Sequence, residues 1–290
     1  MIRTRIAALA ATGAVLLLSA CGTTEQPAGA VDNADATGGP VSVTDSRGKE
    51  IKLDAPATNV VALEWGEAEM LVTLGVMPSG VADAKGYGTW EGRSAALVKQ
   101  LEKYVPVLVT KGSDAKDNLT RLREDFTVIA TAVGKDTEAK QVLADFDAAL
   151  AEGKKKIADA GGGSFVMADG FKDGNAISIR PFGKGALVSE IAAAAGLTNA
   201  WQGKVDKVWG LGQTDVEGLT TIKDKNVRFL YNASDGNDVF ADGLNDNAIW
   251  KSLPFVKAGR AHKLTDGIWT FGGPKSSEQF LDELVKVYTS

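Results

Sequence analysis

The residues that could carry chemistry in this chain are aromatic rather than catalytic. The 290 residues contain one histidine and one cysteine, which excludes a disulfide framework, a paired-cysteine zinc site and a histidine-rich metal site. His262 is predicted to be an ordinary polar residue at a strand end, and no Gly-x-Ser-x-Gly motif surrounds any serine. The Gly-Gly-Gly-Ser stretch at 161–164 precedes a predicted strand, whereas a phosphate-binding loop follows one. We therefore assign no catalytic residue and no metal ligand, although a carboxylate pair of the glycosidase kind stays open.

Aromatic side chains lie instead in glycine-rich segments where predicted strands end and loops begin. In open α/β sheets this edge is where ligands bind, and amphipathic rings suit a mostly apolar pocket with few polar groups. The alternative is that the rings only fill gaps between elements, an interpretation that we favour for Trp250. The predicted aromatic ligand contacts are Trp65, Tyr87, Trp90, Trp201, Trp209, Trp269 and Phe271.

Arg180 is the polar candidate beside these rings. It ends a predicted strand in the sequence Ser-Ile-Arg-Pro-Phe-Gly, between apolar residues. A guanidinium presents five N–H donors in a planar fork, which suits the acidic oxygens of a ligand. The alternative is a structural ion pair with a nearby carboxylate.

Composition and charge limit the class of protein. Hydrophobic residues make up 44% of the chain and charged residues 24%, which is enough for a packed core. The net charge is −5, and it becomes −7 without Arg3 and Arg5 of the first 20 residues. An acidic balance argues against a general nucleic-acid binder, whose surface would be basic.

The first 40 residues predict a lipid anchor outside the cytoplasm. Residues 1–20 combine a basic start, a short apolar run and small residues, which is typical of a secretory signal. Leu18-Ser19-Ala20-Cys21 resembles the bacterial lipobox, so Cys21 is the predicted lipidation site and the membrane link on the extracytoplasmic face. An incidental cysteine or an uncleaved anchor is the alternative. Residues 21–40 are poor in large apolar side chains and are predicted to be a flexible tether.

The body of the chain alternates short strands with helices, which predicts an α/β architecture. A hairpin at 41–53 is followed by strand, helix and strand signals at 60–63, 66–74 and 76–82. The longest helical signal is 136–160, and 161–163 is a glycine stop. Further strands are predicted at 164–168, 177–179 and 227–231, and further helices at 187–195 and 279–288. We therefore expect an N-terminal lobe at 41–134, an interlobe helix at 135–161 and a C-terminal lobe at 162–290.

The ordered set of these segments resembles the iron-siderophore ABC-transporter substrate-binding lipoproteins. The resemblance rests on the lipobox and on the segments 45–48, 60–65, 74–78, 194–197, 214–219, 250–256 and 269–274, together with the long helix. No single motif is diagnostic, but the ordered set is fairly specific and spans nearly all of 41–290. It is most similar to actinobacterial binders of ferric hydroxamates such as ferrioxamine.

This resemblance implies a fold, a ligand and partners. The expected fold has two Rossmann-like α/β lobes joined by a single long helix, the helical-backbone periplasmic-binding-protein fold. A ferric siderophore is expected in a shallow cleft between the lobes, with iron held by the siderophore's own oxygens and no protein cofactor. The resemblance also implies that the receptor delivers its ligand to an ABC permease, and we expect the receptor to be a monomer. One acidic residue per lobe contacts the permease in this family, and Glu217 matches the C-terminal one.

One departure from the family pattern lies in the N-terminal lobe. After Tyr87–Trp90 the chain runs to Tyr104 without a strand like Pro-Asp-Leu-Ile, so this lobe is expected to be short by about one βα unit. No N-terminal docking glutamate is assigned, and Glu64 and Glu67 are only substitutes for it. Glu217 itself has a second interpretation, because Thr214 and Glu217 are spaced as a helix-start capping box.

Three other functions stay open from the residues. A haem or corrinoid binder of the same fold would also use aromatic rings, an anchored hydrolase would use the abundant carboxylates, and a lipoprotein adhesin would bind no small molecule. Among siderophores we expect hydroxamates to be preferred over catecholates. Ferric triscatecholates are strongly negative and need several convergent cations, whereas Arg180 is the one obvious donor among the candidates.

Overall fold

The computed structural model describes residues 38–81, 100–174, 176–233 and 237–290. Its first element is the predicted hairpin, in which β1 (Val41–Thr44) pairs antiparallel with β2 (Glu50–Leu53). Val43 and Ile51 face each other and are buried, while their neighbours point outward, as the alternation predicts. The described residues all belong to one compact unit.

The N-terminal lobe continues with a small parallel sheet and two helices. Strands β3 (Val61–Ala62) and β4 (Gly80–Val81) pair in parallel, with α1 (Trp65–Thr73) between them in the chain. Helix α2 (Asn118–Ala132) has no counterpart in the sequence prediction. The signal for it was present, since apolar residues recur at three- and four-residue spacing along its buried face: Leu122, Phe126, Ile129 and Ala130.

One long helix contacts the cores of both lobes. Helix α3 spans Asp136–Asp159 and ends one residue before its predicted end. Its first half packs Ala139 against α1 and α2, whereas Ile157 near its end belongs to the C-terminal core. The C-terminal helix packs against α3 at Gly153, where a Cβ atom would lie 2.9 Å from Leu281 Cδ1. Glycine inside this helix therefore permits close packing at the cost of helix propensity.

The C-terminal lobe is built on a mixed sheet of five strands. They are β5 (Ser164–Asp173), β6 (Ala176–Pro181), β7 (Thr198–Asn199), β8 (Arg228–Asn232) and β9 (Ala261–Lys263). The order is β6-β5-β8-β9, with β7 beside the start of β5. Strand β5 pairs antiparallel with β6 and parallel with β7 and β8, and β8 pairs parallel with β9. The carboxyl ends of β5, β8 and β9 therefore lie at one edge of the sheet.

Helices cover both faces of this sheet. They are α4 (Leu187–Ala194), α5 (Ala248–Ser252), α6 (Pro254–Lys257) and α7 (Pro274–Thr289), with a 3-10 turn at Gly218–Thr221 and a π-helical turn at Val239–Gly243. It is α7 that carries Leu281 onto α3. Phe165 and Met167 face α4 and α7 on one side, and Val166 faces the opposite core.

The ends of the C-terminal elements follow local chemistry. Helix α7 begins five residues earlier than predicted, because Pro274 occupies its first turn, where no backbone N–H is needed. Trp250 is 6% exposed and packs against Phe229 and Phe255, as expected of a core residue. Within the described part of the chain, no helix has both the length and the hydropathy needed to cross a bilayer.

Candidate functional site

Four of the predicted aromatic residues form one continuous row of rings. The ring centroids of Trp65 and Trp269 are 5.6 Å apart, those of Trp269 and Phe271 are 5.5 Å apart, and those of Phe271 and Trp209 are 5.3 Å apart. Trp209 meets Phe271 edge-on, with 86° between the ring planes, whereas the other two pairs are tilted. We call Trp65, Trp269, Phe271 and Trp209 the aromatic row.

The aromatic row draws on both lobes. Trp65 is the first residue of α1 in the N-terminal lobe, while Trp269 and Phe271 lie on the segment between β9 and α7. Trp209 lies on a loop after β7, and a methyl group on Gly112 of the N-terminal lobe would be 3.9 Å from its Cη2 atom. The aromatic row therefore begins in the N-terminal lobe at Trp65 and continues in the C-terminal lobe, and its last ring, Trp209, lies near the N-terminal lobe again.

Packing beneath the row keeps part of each ring available. Phe182, which the sequence analysis did not single out, is 1% exposed and supports Phe271 at a centroid distance of 5.6 Å. Trp209 is 38% exposed, and Trp65, Trp269 and Phe271 are half-buried. Large rings that stay partly exposed offer apolar faces and polarised edges to a ligand that is itself mostly apolar. Such a surface suits a neutral or cationic ligand better than a strongly anionic one.

Arg180 is bound to a carboxylate of its own sheet. Its Nε and Nη2 atoms donate to the two oxygens of Asp169 at 2.9 and 2.5 Å. The two residues are directly opposite each other in the β5–β6 register. This bidentate pair is the structural alternative raised for Arg180, and it occupies the Nε–Nη2 edge of the guanidinium fork that a ligand would use.

Trp201 requires a correction, because its ring is in the core and not at a loop edge. It is 8% exposed and packs in the cluster that contains Ile179 and Leu219. Its indole N–H has no partner among the described residues. Helix-and-strand periodicity could not reveal this, since the burial comes from the following loop folding over the ring. Tyr87, Trp90 and Cys21 lie outside the described residues, and their predicted roles stay predictions.

Glu217 is exposed, and the capping-box interpretation of it is wrong. The 3-10 turn that follows is capped by Asp215, whose Oδ1 accepts from the Gly218 N–H at 2.9 Å. The Glu217 side chain makes no capping hydrogen bond. Glu64 and Glu67 are the two possible substitutes for a docking glutamate on the N-terminal lobe. Glu67 accepts from the Thr110 hydroxyl at 2.6 Å, and Glu64 directly precedes α1.

A carboxylate of the N-terminal lobe caps the C-terminal helix next to the aromatic row. Glu69 on α1 accepts from the backbone N–H groups of Gly273 and Ser276, both at 2.9 Å, and from the Ser276 hydroxyl at 2.6 Å. These donors lie at the N-terminus of α7, where backbone N–H groups have no partner in the helix and the helix dipole favours negative charge. Trp269 and Phe271 are thereby tied to the helix that carries Trp65.

A second carboxylate makes the reciprocal contact. Glu190 on α4 of the C-terminal lobe accepts from the backbone N–H of Leu119 at 2.7 Å, in the first turn of α2. Burial raises the pKa of Glu190 above its usual value, against the lowering effect of the backbone donors. Asn118 adds a hydrogen bond to the carbonyl of Gly185. Each lobe thus caps a helix of the other, and sequence spacing carried no signal for either pair.

Among the residues that the structure describes, other polar features do not form a comparable site. Across the described ranges, no group of three histidine, cysteine, aspartate or glutamate side chains is arranged to hold a metal ion. His262 lies in β9, where burial and then Arg228 lower its pKa. A surface groove of about 390 Å³ lies between β2 and residues 102–107, and its Lys49 is paired with Glu102 at 2.6 Å.

Known proteins with similar sequences are binding proteins. The chain is 25% identical over 256 residues to the iron(3+)-hydroxamate-binding protein FhuD of Escherichia coli (strain K12), covering 77% of this chain and 84% of that protein. It is 23% identical over 308 residues to the probable siderophore-binding lipoprotein YfiY of Bacillus subtilis (strain 168), covering 93% and 94%.

Solved structures share the fold. FhuD from Vibrio cholerae with bound Fe3+–Desferal superposes with a TM-score of 0.66 at 19% identity, covering 80% of this chain and 98% of that chain. The petrobactin-binding protein YclQ from Bacillus subtilis superposes with a TM-score of 0.68 at 17% identity, covering 87% and 99%. These matches agree with two α/β lobes joined by a long helix. A sequence model described as periplasmic binding protein matches residues 91–266. The chain therefore belongs to the periplasmic binding protein family, and it is a substrate-binding protein rather than an enzyme.

Proposed function

We propose that this protein is a membrane-anchored extracytoplasmic receptor that binds a ferric siderophore of the hydroxamate class and delivers it to an ABC permease. The observation that carries the proposal is the aromatic row, which is built from both lobes and stays partly exposed. A ligand lying on the row would contact the N-terminal lobe at Trp65 and the C-terminal lobe at Trp209. The ligand would therefore bind between the two lobes.

The chemistry of the row supports a hydroxamate complex. Iron enters as part of the substrate, because the siderophore supplies hard oxygen ligands to the metal and the protein needs none. Three hydroxamate anions neutralise the ferric charge, whereas three catecholate dianions leave a strongly negative complex. Arg180 is already engaged by Asp169, so the row offers rings rather than free guanidinium groups. The name of the Escherichia coli relative, an iron(3+)-hydroxamate-binding protein, agrees with this choice.

The anchor and the division into lobes are parts of the same proposal. Residues 1–20 are the signal peptide, Cys21 carries the lipid, and 21–40 form the tether. The lobes are 41–134 and 162–290, joined by the helix within 135–161. Attachment through two or more acyl chains holds a protein stably at a membrane. The names of two Bacillus subtilis relatives, YfiY and YhfQ, contain the word lipoprotein, which supports the anchor.

Contact with the permease is assigned to Glu217 on the C-terminal lobe. Its carboxylate is exposed and is not used as a cap, so it is available to a cationic surface. The receptor is proposed to act as a monomer, with the permease as its protein partner.

Tryptophan fluorescence of the purified protein tests the ligand assignment. We expect ferrioxamine B to quench the emission to saturation, and a ferric triscatecholate to do so only at much higher concentration. Loaded protein should show the broad visible absorbance of a ferric hydroxamate. Metal-free desferrioxamine B is the control for the contribution of iron to recognition.

Three outcomes would contradict the proposal. Tighter binding of the triscatecholate than of ferrioxamine B would overturn the hydroxamate assignment. A Soret shift on titration with haemin, without ferrioxamine binding, would favour the haem alternative. No response to any of these ligands would contradict the siderophore function and would favour the adhesin alternative.

A further inference from the structure

One carboxylate organises the loop that presents Trp209. The side chain of Asp206 accepts three backbone hydrogen bonds from the residues that follow it, from the N–H groups of Val208 at 2.7 Å, Trp209 at 2.6 Å and Leu211 at 2.8 Å. The Asp206 N–H in turn donates to the Leu211 carbonyl at 2.9 Å. The six-residue loop from 206 to 211 is thereby closed around a single side chain.

The base of this loop is held independently of Asp206. The carbonyl of Gly210 accepts from the Gly183 N–H at 2.8 Å, and Leu211 forms a β-bridge with Phe182. Gly210 has a φ of 71°, and a Cβ atom there would lie 2.5 Å from the Ala186 nitrogen, so this position requires glycine. These contacts anchor the end of the loop, but they leave the backbone N–H of Trp209 to Asp206.

Trp209 depends on this restraint more than its partners in the row do. It is 38% exposed and meets Phe271 only through an edge-on contact. Trp65 begins a helix, and Trp269 lies between two other rings of the row. An exposed ring on an unrestrained loop would lose conformational freedom when a ligand binds, and that loss would reduce affinity.

We propose that Asp206 is a positioning residue, which holds the backbone at Trp209 so that the ring stands ready at the C-terminal end of the aromatic row. The inference rests on the proposed function, since it assigns Trp209 a ligand to contact. The Asp206 carboxylate accepts from the backbone and not from the Trp209 indole, and it is not proposed to touch the ligand. Its specific role is to order the loop before the ligand arrives.

The ionised form of Asp206 suits this role. Burial alone would raise the pKa of Asp206, but the backbone donors of Trp209, Val208, Leu211 and Gly210 lower it below its ordinary value. Convergent N–H groups stabilise the carboxylate more than its protonated form. A neutral amide at this position would keep one oxygen acceptor and lose the charge that strengthens these bonds.

The test labels the protein with 5-fluorotryptophan and reads fluorine NMR without ligand. The chain contains six tryptophans, and a Trp209→Phe variant identifies the resonance of Trp209. In Asp206→Ala we expect that resonance to broaden or to move toward the position of free indole, while the others stay in place. Asp206→Asn should give an intermediate shift, and it keeps the test open if the alanine variant does not fold.

Asp224→Ala is the matched control. The Asp224 carboxylate also organises a turn, accepting from the Asn226 N–H at 2.8 Å and from the Ser164 hydroxyl. It lies at the opposite edge of the sheet, at the start of β5 and β8. The Trp209 resonance and the affinity for ferrioxamine B should be unchanged in this variant.

Binding then links position to function. We expect Asp206→Ala to weaken ferrioxamine B binding about tenfold, and the double variant with Trp209→Ala to bind no more weakly than Trp209→Ala alone. An unchanged Trp209 resonance in Asp206→Ala, or fully additive losses, would overturn the assignment. If wild-type protein does not bind ferrioxamine B, the proposed function is wrong, and the fluorine spectra still decide whether Asp206 positions Trp209.

Discussion

Glu69 and Ser276 are 207 positions apart in the chain, and the Ser276 hydroxyl donates to the Glu69 carboxylate at 2.6 Å. The backbone N–H groups of Gly273, which precedes α7, and of Ser276 in its first turn donate to the same carboxylate. The contact joins the helix that begins with Trp65 to the segment that carries Trp269. Stability of the fold and alignment of the row are therefore coupled at this one side chain.

Glu69→Gln is expected to lower the free energy of unfolding by about 1–3 kcal/mol. The amide is neutral, so the remaining hydrogen bonds are weaker, and its NH₂ group faces donors that previously bonded to a carboxylate oxygen. Urea unfolding measures the change. Glu152→Gln is the control, since Glu152 forms an exposed ion pair with Lys156 on α3, and it should change stability by less than about 0.5 kcal/mol. Equal effects of the two substitutions would show that the cap contributes nothing.

Trp209→Ala and Trp269→Ala are each expected to weaken ferrioxamine B binding by about tenfold to a hundredfold, the usual effect of removing one aromatic contact. Trp269 lies between two rings, so its loss should also disturb its neighbours. Binding is measured by fluorescence and checked by calorimetry. Tyr104→Ala, at a tyrosine that is 83% exposed and outside the row, should bind normally. Unchanged affinity in both tryptophan variants would make the rings structural.

Arg180→Lys is expected to destabilise the protein nearly as much as Asp169→Asn, because an ammonium group cannot donate two parallel N–H groups from a planar fork as the guanidinium does. The double variant should lose less than the sum of the two single losses, as partners in one ion pair do. Thermal unfolding supplies these three comparisons. If Arg180 instead contacts the ligand, Arg180→Lys will reduce affinity while Asp169→Asn leaves it intact, and ferrioxamine B titrations will separate the two roles.

Glu190 should make stability depend on pH in a definite direction. Burial raises its pKa in the folded state above the ordinary 4.5, against opposing effects of its backbone donors and Arg121, so the folded state holds the proton more tightly. Its stabilising contribution is therefore full below pH 4.5 and is lost as the pH rises through the folded pKa. Glu190→Gln keeps an acceptor for Leu119 without this titration.

We expect the stability of Glu190→Gln relative to wild type to be greater at pH 8 than at pH 4, as measured by urea unfolding at both values. Asp117 and Arg121 also act on this carboxylate, but both are present in the two proteins. A difference that stays constant between the two pH values would mean that Glu190 does not titrate with a raised pKa.

Glu217→Ala is expected to leave the melting temperature and the siderophore affinity unchanged, because Asp215 and not Glu217 caps the following turn. Uptake of iron-55 ferrioxamine B by cells should fall, and the difference from wild type should be largest at low salt, since exposed charges act mainly on encounter and orientation and are screened by ions. Asp246→Ala, at another exposed carboxylate of the same lobe, is the control. Normal uptake with Glu217→Ala would remove the docking assignment.

Local patterns in the sequence determined the elements and the class of protein. The hairpin, the long helix and three strands of the C-terminal sheet, β5, β6 and β8, follow from alternation, helical spacing and glycine stops, which depend on near neighbours in the chain. The scarcity of histidine and cysteine, with rings at strand ends, pointed to binding rather than catalysis. Helix α2 was missed although its buried face has a helical period.

Tertiary structure decided which candidates meet and which are buried. Trp201 and Trp209 have similar glycine-rich surroundings in the sequence, yet one is in the core and the other is exposed, because the intervening loop folds over Trp201. The caps that Glu69 and Glu190 provide join residues 204 and 71 positions apart. No local pattern encodes such contacts, since they form only after the lobes have packed and helix N-termini face carboxylates across the interface.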